Sequence, residues 1–208
     1  TAANEKLDVD CTFDTYQSKI TTDQSSLTGS WEVADGFATA YTSLQDEMRS
    51  NINWALGLVG TSPKVYITGH SLGAAMATIA ASDFMLSNMT SLVGDVEVMT
   101  FAAPRSGNPA FATGVGSLAP NWWSIQNFFD QIPHLPPQSW GFQHVVKIII
   151  VGPNDGNIVE VTPSTDDEHF NITANPISFH YTDSYMSQLN ALEGAASGPT
   201  NCPTSVLE

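Results

Sequence analysis

Five residues, Gly69-His70-Ser71-Leu72-Gly73, constrain this chain more than any other feature. They follow a β-branched and aromatic run, Lys64-Val65-Tyr66-Ile67-Thr68, and lead into small and apolar residues from Leu72 to about Leu86. The first run predicts a strand and the second a helix. A G-x-S-x-G sequence at that junction demands a sharp bend, because glycines on both sides of the serine permit unusual backbone angles and a close strand–helix approach. Ser71 would then stand clear of the carboxyl end of a sheet, above the N–H groups of a helix N-terminus. Such groups stabilise a developing oxyanion, and Leu72 N–H is the first donor in line. A serine that merely caps a helix is the plainer alternative.

The surroundings extend the pattern. From Asp35 the residues Phe37, Tyr41, Leu44, Met48, Ile52, Leu56 and Val59 recur every three or four positions, which predicts one long amphipathic helix ending near Gly60. Further strands are expected at 96–101, 122–129, 145–151 and 158–161, the last two forming an antiparallel hairpin that turns near Asp155-Gly156. A helix is expected after Phe179-His180-Tyr181, to about Leu192. Residues 1–33 are polar, lack a sustained period and read as loop or extended cover. Helices alternating with strands predict a mainly parallel α/β sheet with flanking helices and a late antiparallel hairpin. We expect one domain over residues 1–208, with 1–32 irregular, a core at 33–185 and a tail at 186–208.

Composition narrows the partners. Six Lys and Arg against 21 Asp and Glu give a formal charge of −15, and such a field repels phosphate backbones, so nucleic acid is not expected. Two sequons, Asn88-Met89-Thr90 and Asn171-Ile172-Thr173, offer glycan acceptors at Asn88 and Asn171. Two cysteines, Cys11 and Cys202, lie near opposite ends and are disulfide candidates, with each other or with another segment. With the low charged content, these features point to a secreted protein. No metal is expected, since the histidines show no ligand spacing, and no cofactor is called for.

A nucleophilic serine requires a histidine to take its proton and a carboxylate to fix that histidine's tautomer. Of five histidines, His70 adjoins Ser71 and is expected to point away from it, as a structural residue. His134 lies in a proline-rich loop, His144 heads a strand, and His169 follows an acidic run. His180 is the last and is favoured by the chain order serine, acid, histidine, with His169 and His144 left open. Asp130 directly follows the strand at 122–129, where side chains face the crevice at the sheet's carboxyl end.

Several segments taken together resemble the fungal class 3 lipases, the group of filamentous-fungus lipases and feruloyl esterases. Residues Val65 to Gly73 look like that family's nucleophile segment. Phe101-Ala102-Ala103-Pro104-Arg105-Ser106-Gly107-Asn108-Pro109 is similar to its Pro-Arg-Val-Gly-Asn stretch. Asn127 to Pro137 resembles the segment with the catalytic aspartate, Trp140 to His144 a Gly-aromatic-x-His element, and Phe179-His180-Tyr181 the final histidine segment. Ala74 and Ala102 stand where the family more often has glycine, and Ser106 where it often has valine.

The resemblance implies an α/β-hydrolase fold and a triad of Ser71, Asp130 and His180, with His144 outside it. It implies an ester hydrolase acting on acylglycerols at a lipid interface; feruloyl esters and phospholipids are the alternatives. An inactive binding or storage protein on the same scaffold is the rival from another class. The family also carries N-terminal strands, a lid helix and a second oxyanion donor, none of which the segment before residue 33 matches. The strand before Ser71 should therefore have one exposed edge, a hazard that proteins avoid. We expect a small N-terminal companion chain of the same precursor to complete the sheet after proteolytic processing.

Overall fold

Parallel strands cannot be joined by tight turns, so each successive pair needs a crossover that covers one face of the sheet. The computed structural model, which describes residues 13–15, 31–118, 121–152, 158–162 and 177–195, follows that rule. Strands β3 (Lys64–His70), β4 (Asp95–Phe101), β5 (Trp122–Asn127) and β6 (Ile148–Val151) are parallel, and β7 (Ile158–Val161) returns antiparallel. Their order is β3-β4-β5-β6-β7. Helix α3 (Leu72–Leu86) crosses from β3 toward β4, and α4 (Pro109–Leu118) crosses from β4 to β5. The fold is that of an α/β-hydrolase, with the expected late antiparallel pair; the turn anticipated near Asp155-Gly156 lies outside the described residues.

Alternating side chains give the sheet two covered faces. Val98 and Trp122 belong to the larger core with Val33, Phe37, Ile79 and Phe111. Phe101, Ile125 and Ile149 project to the other face, where Tyr185 and Leu189 of helix α5 (Thr182–Ala195) cover them. Burial on both faces is what a parallel sheet requires. It also fixes α5 beside the carboxyl ends of the strands.

Several elements differ from expectation. The single helix predicted from Asp35 to Gly60 is two, α1 (Asp35–Thr42) and α2 (Gln45–Val59). Thr42 Oγ1 donates to the carbonyl of Ala38 and Ser43 Oγ to that of Ala40, and Leu44 N–H shortens to the carbonyl of Tyr41, 2.9 Å. Hydroxyls that bond to the backbone in this way compete with the helical ladder. The break turns α2 outward: Leu44 and Val59, expected on the buried face, are 47% and 63% exposed.

At the start of the chain, β1 (Phe13–Thr15) pairs antiparallel with β2 (Glu32–Ala34), in a region read as irregular. Trp31 and Val33 are already core residues. Helix α4 was not anticipated; its signal is Asn108-Pro109, where Asn108 Oδ1 accepts from Phe111 N–H at 2.8 Å and proline takes the first helical position. Strands β5 and β6 are shorter than expected, ending at Asn127 and beginning at Ile148.

Among the described residues β3 pairs with β4 alone, so its other edge is open. Beside that edge runs a groove of about 320 Å³ between α2, β3 and α3, lined by Met48, Ile52, Val65, Ile67, Phe84 and Met89 among others.

Candidate active site

The junction of β3 and α3 is held from two sides. A methyl group on Gly69 would overlap the backbone carbonyl of Gly73, so this glycine allows helix and strand to meet. Ser71 N–H donates to the carbonyl of Phe101 on β4 at 3.1 Å, which ties the bend to the neighbouring strand. Ser71 itself has φ 59° and ψ −130°, a backbone state that L-residues rarely adopt. Strain of this kind clusters where a side chain must be presented rather than packed. Leu72 opens α3, placing its N–H in the first helical turn, which has no preceding carbonyls to bond.

His180 and Asp130 reach Ser71 from other elements. Ser71 Oγ lies 2.6 Å from His180 Nε2, and His180 Nδ1 lies 2.9 Å from Asp130 Oδ2. An ionised carboxylate only accepts, so Nδ1 carries the proton and Nε2 is left bare to accept from the Ser71 hydroxyl. The side chain of Asp130 is 1% exposed and that of His180 11%. The carboxylate's needs are met locally: Oδ1 accepts from Ile132 N–H at 3.0 Å, and Oδ2 also accepts from the Tyr185 hydroxyl at 2.7 Å. Burial, then the Asp130 charge, push the Tyr185 phenol well above its ordinary value, so it remains a donor.

Asn127, the last residue of β5, anchors the segment around His180. Its side-chain amide donates to the carbonyl of Phe179 at 3.2 Å and lies 2.8 Å from Ser184 Oγ, while its backbone N–H donates to Tyr185 Oη at 3.0 Å. Sequence reasoning missed both residues. Tyr185 carries no local signal, because its partner is 55 positions away. Asn127 at a strand's carboxyl end could have been noted by the rule that singled out Asp130.

The remaining histidines divide clearly. His144 is 3% exposed, and its Nε2 lies 2.9 Å from the carbonyl of Pro133. Burial, helped by the Arg105 charge, holds it well below the usual histidine range, hence neutral. The carbonyl of His134 receives Arg105 Nη1 at 2.5 Å, so this residue serves the loop after Asp130 through its backbone. His70, expected to point away from Ser71 as a structural residue, meets the segment that carries the base: its Nε2 is 2.8 Å from the His180 carbonyl. His169, Asn171, Cys11 and Cys202 lie outside the described residues, and Asn88 begins a short 3-10 turn, Asn88–Leu92, after α3. Among the described residues no group of three or more His, Cys, Asp or Glu side chains could hold a metal.

Comparison with known proteins now bears on this geometry. The family model for class 3 lipases matches residues 2–140. The chain belongs to the class 3 lipase family. Within curated class 3 relatives it is similar to a secreted mono- and diacylglycerol lipase of Malassezia restricta, 32% identical over 172 residues, covering 82% of this chain and 55% of that protein. It is also similar to a lipase of Rhizomucor miehei, 33% identical over 135 residues, covering 64% of this chain and 36% of that one. Among solved structures, a triacylglycerol lipase whose catalytic centre is formed by a serine protease triad superposes with a TM-score of 0.67 at 26% identity, covering 86% of this chain and 66% of that one. This class 3 lipase chain therefore spans about half the length of the secreted Malassezia relative.

Proposed function

We propose that this chain is the catalytic portion of a secreted carboxylic ester hydrolase that cleaves acylglycerols through Ser71, His180 and Asp130. The observation that carries the reading is the continuous hydrogen-bonded path from Ser71 Oγ through the imidazole to a buried carboxylate. His180 Nε2 takes the hydroxyl proton as Ser71 Oγ bonds to the ester carbonyl carbon, and Asp130 holds the imidazolium that results. Leu72 N–H receives the oxyanion. When the tetrahedral species collapses, the C–O bond to the alcohol breaks and His180 returns the proton to the leaving oxygen. Water then repeats the sequence on the acyl-enzyme, releasing the carboxylic acid and restoring Ser71.

Acylglycerols are favoured because the relatives are named for them. Exposed Ile177 and Tyr181 flank His180 in sequence and add apolar surface suited to acyl chains and a lipid interface. Secretion follows the same relatives, whose names include the word. Asn88 and Asn171 as glycan acceptors, and Cys11 and Cys202 as disulfide partners, belong to this reading; a mass shift on deglycosylation and non-reducing peptide mapping test them.

The reading includes a companion: a smaller chain of the same precursor that lies along β3 and supplies the second oxyanion donor. Its support is the edge of β3 left open among the described residues and the apolar groove beside it. An open edge strand recruits another strand by backbone pairing.

Three measurements on the native protein test these statements. An alkyl phosphonate should label Ser71, and hydrolysis of tributyrin should exceed that of methyl ferulate and of a phospholipid. Absence of labelling overturns the mechanism, and a preference for either other ester overturns the substrate. Intact mass spectrometry of the active preparation should show a second polypeptide; full activity from this chain alone overturns the companion.

A further inference from the structure

His70 belongs to β3 and His180 to a short 3-10 turn, Ile177–His180, 110 positions later. The link between them is directional. A carbonyl oxygen can only accept, so the 2.8 Å contact between His70 Nε2 and the His180 carbonyl fixes the proton of His70 on Nε2. Burial lowers the His70 pKa below its ordinary value, in keeping with the neutral ring that this hydrogen bond describes. The two imidazoles lie with centroids 4.8 Å apart and planes tilted by 36°, and the Tyr185 ring stands nearly perpendicular to His70 with centroids 5.9 Å apart.

His180 is thus held to the nucleophile strand at two points, both on adjacent residues. Its ring accepts from Ser71 Oγ, and its backbone accepts from His70 Nε2. From the β5 side, Asp130 holds the ring at Nδ1 and Asn127 holds the Phe179 carbonyl, which by themselves leave the approach of His180 to the nucleophile strand set by the Ser71 contact alone. The His70 contact adds a second tie between that strand and the same residue. A misplacement of about 1 Å is enough to cost roughly a hundredfold in rate, so such anchoring has consequences for turnover.

We infer that His70 is a positioning residue for the base: through Nε2–H to the His180 carbonyl it sets the distance between His180 and Ser71. This rests on the reading of His180 as the general base. A substitution that keeps a donor at the Nε2 position, His70→Gln, should preserve the function, since glutamine's terminal nitrogen occupies nearly the same place. His70→Ala removes it.

The experiment compares native protein with His70→Ala, His70→Gln and His180→Ala. It reads kcat and KM on a soluble short-chain ester, with sites counted by phosphonate titration. His70→Ala should lower kcat per titrated site by tenfold or more, with KM within twofold, and slow phosphonate labelling to a similar degree. His70→Gln should recover most of that loss. The inference is overturned if His70→Ala keeps kcat per site within twofold, if it lowers only the number of titratable sites, or if His70→Gln is as impaired as His70→Ala. Activity retained in His180→Ala would instead overturn the reading of the base itself, and with it this inference.

Discussion

The Tyr185 hydroxyl donates to Asp130 Oδ2, the same carboxylate oxygen that faces His180 Nδ1. It accepts in turn from Asn127 N–H, so one phenol joins the end of β5, the carboxylate and helix α5. Tyr185→Phe keeps the ring packed against Phe101 and His70 but removes that junction. The buried Asn127 N–H loses its acceptor and Asp130 loses a donor, at a cost of about 1–3 kcal/mol. We expect urea unfolding to show a loss of that size and kcat to fall by roughly tenfold, since the carboxylate orients the base. Unchanged stability and kcat would show that the hydroxyl holds nothing in place.

The two glycines of the nucleophile turn should respond oppositely. A side chain on Gly69 overlaps the Gly73 carbonyl and comes within 2.9 Å of Ala74 N, whereas one on Gly73 meets nothing within 4 Å. Gly69→Ala should therefore cost about 3 kcal/mol or more, because the clash is with backbone that cannot rotate away. Gly73→Ala should stay within about 1 kcal/mol of the native protein, alanine being the better helix former. Equal melting temperatures for the two variants would contradict the close approach of β3 and α3.

Much of this region was legible beforehand, and the reasons are local. Ser71 and Asp130 could be named because each follows a strand whose end is written in its own residues. His180 is favoured by chain order alone, with His169 and His144 open until the family resemblance singles it out. The three side chains lie within hydrogen-bond distance of one another in the sequence Ser71, His180, Asp130. The split of α1 from α2 was hidden because Leu44 continues the apolar period while Thr42 and Ser43 bond back to their own helix. The partner of His70 was hidden because it is a backbone carbonyl, which no residue pattern reveals. Ala102 is the subtler case. Its φ is 53°, so an alanine that stands where the resemblance leads one to expect glycine sits on a left-handed backbone.

Acid should weaken the fold through His144. Its folded pKa lies well below the usual value, which the unfolded chain retains near 6.5, so below that pH the unfolded state binds a proton that the native state does not. Stability then rises with pH in this window and is lost as pH falls through about 6.5, by up to about 1.4 kcal/mol per pH unit for one group. His70 is shifted in the same direction and contributes the same sign. Urea unfolding between pH 7 and 5 should show this slope, reduced in His144→Gln, which keeps a donor for the Pro133 carbonyl. An identical slope in the variant would assign the acid sensitivity elsewhere.

A fourth test concerns the other flank. Asp83 of α3 is buried and accepts from Tyr41 at 2.6 Å, Gln45 at 3.1 Å and Arg49 Nε at 3.0 Å, drawing α1 and α2 onto the helix that follows Ser71. Arg49→Met keeps the apolar stem but leaves the carboxylate without its countercharge, which costs about 3–5 kcal/mol for a buried pair. Because Arg49 is partly exposed and Asp83 keeps two donors, we expect the lower end of that range in urea unfolding. A loss under about 1 kcal/mol would mean that the neutral donors suffice.

The edge of β3 left open among the described residues has a consequence for how such a protein can diversify. Every group of the proposed proton relay is rooted in β3, β5, the loop after it, or the turn before α5, all on one flank of the nucleophile strand. The opposite flank can be exchanged, shortened or severed without touching that relay, changing which molecules gain entry and what completes the hold on the oxyanion.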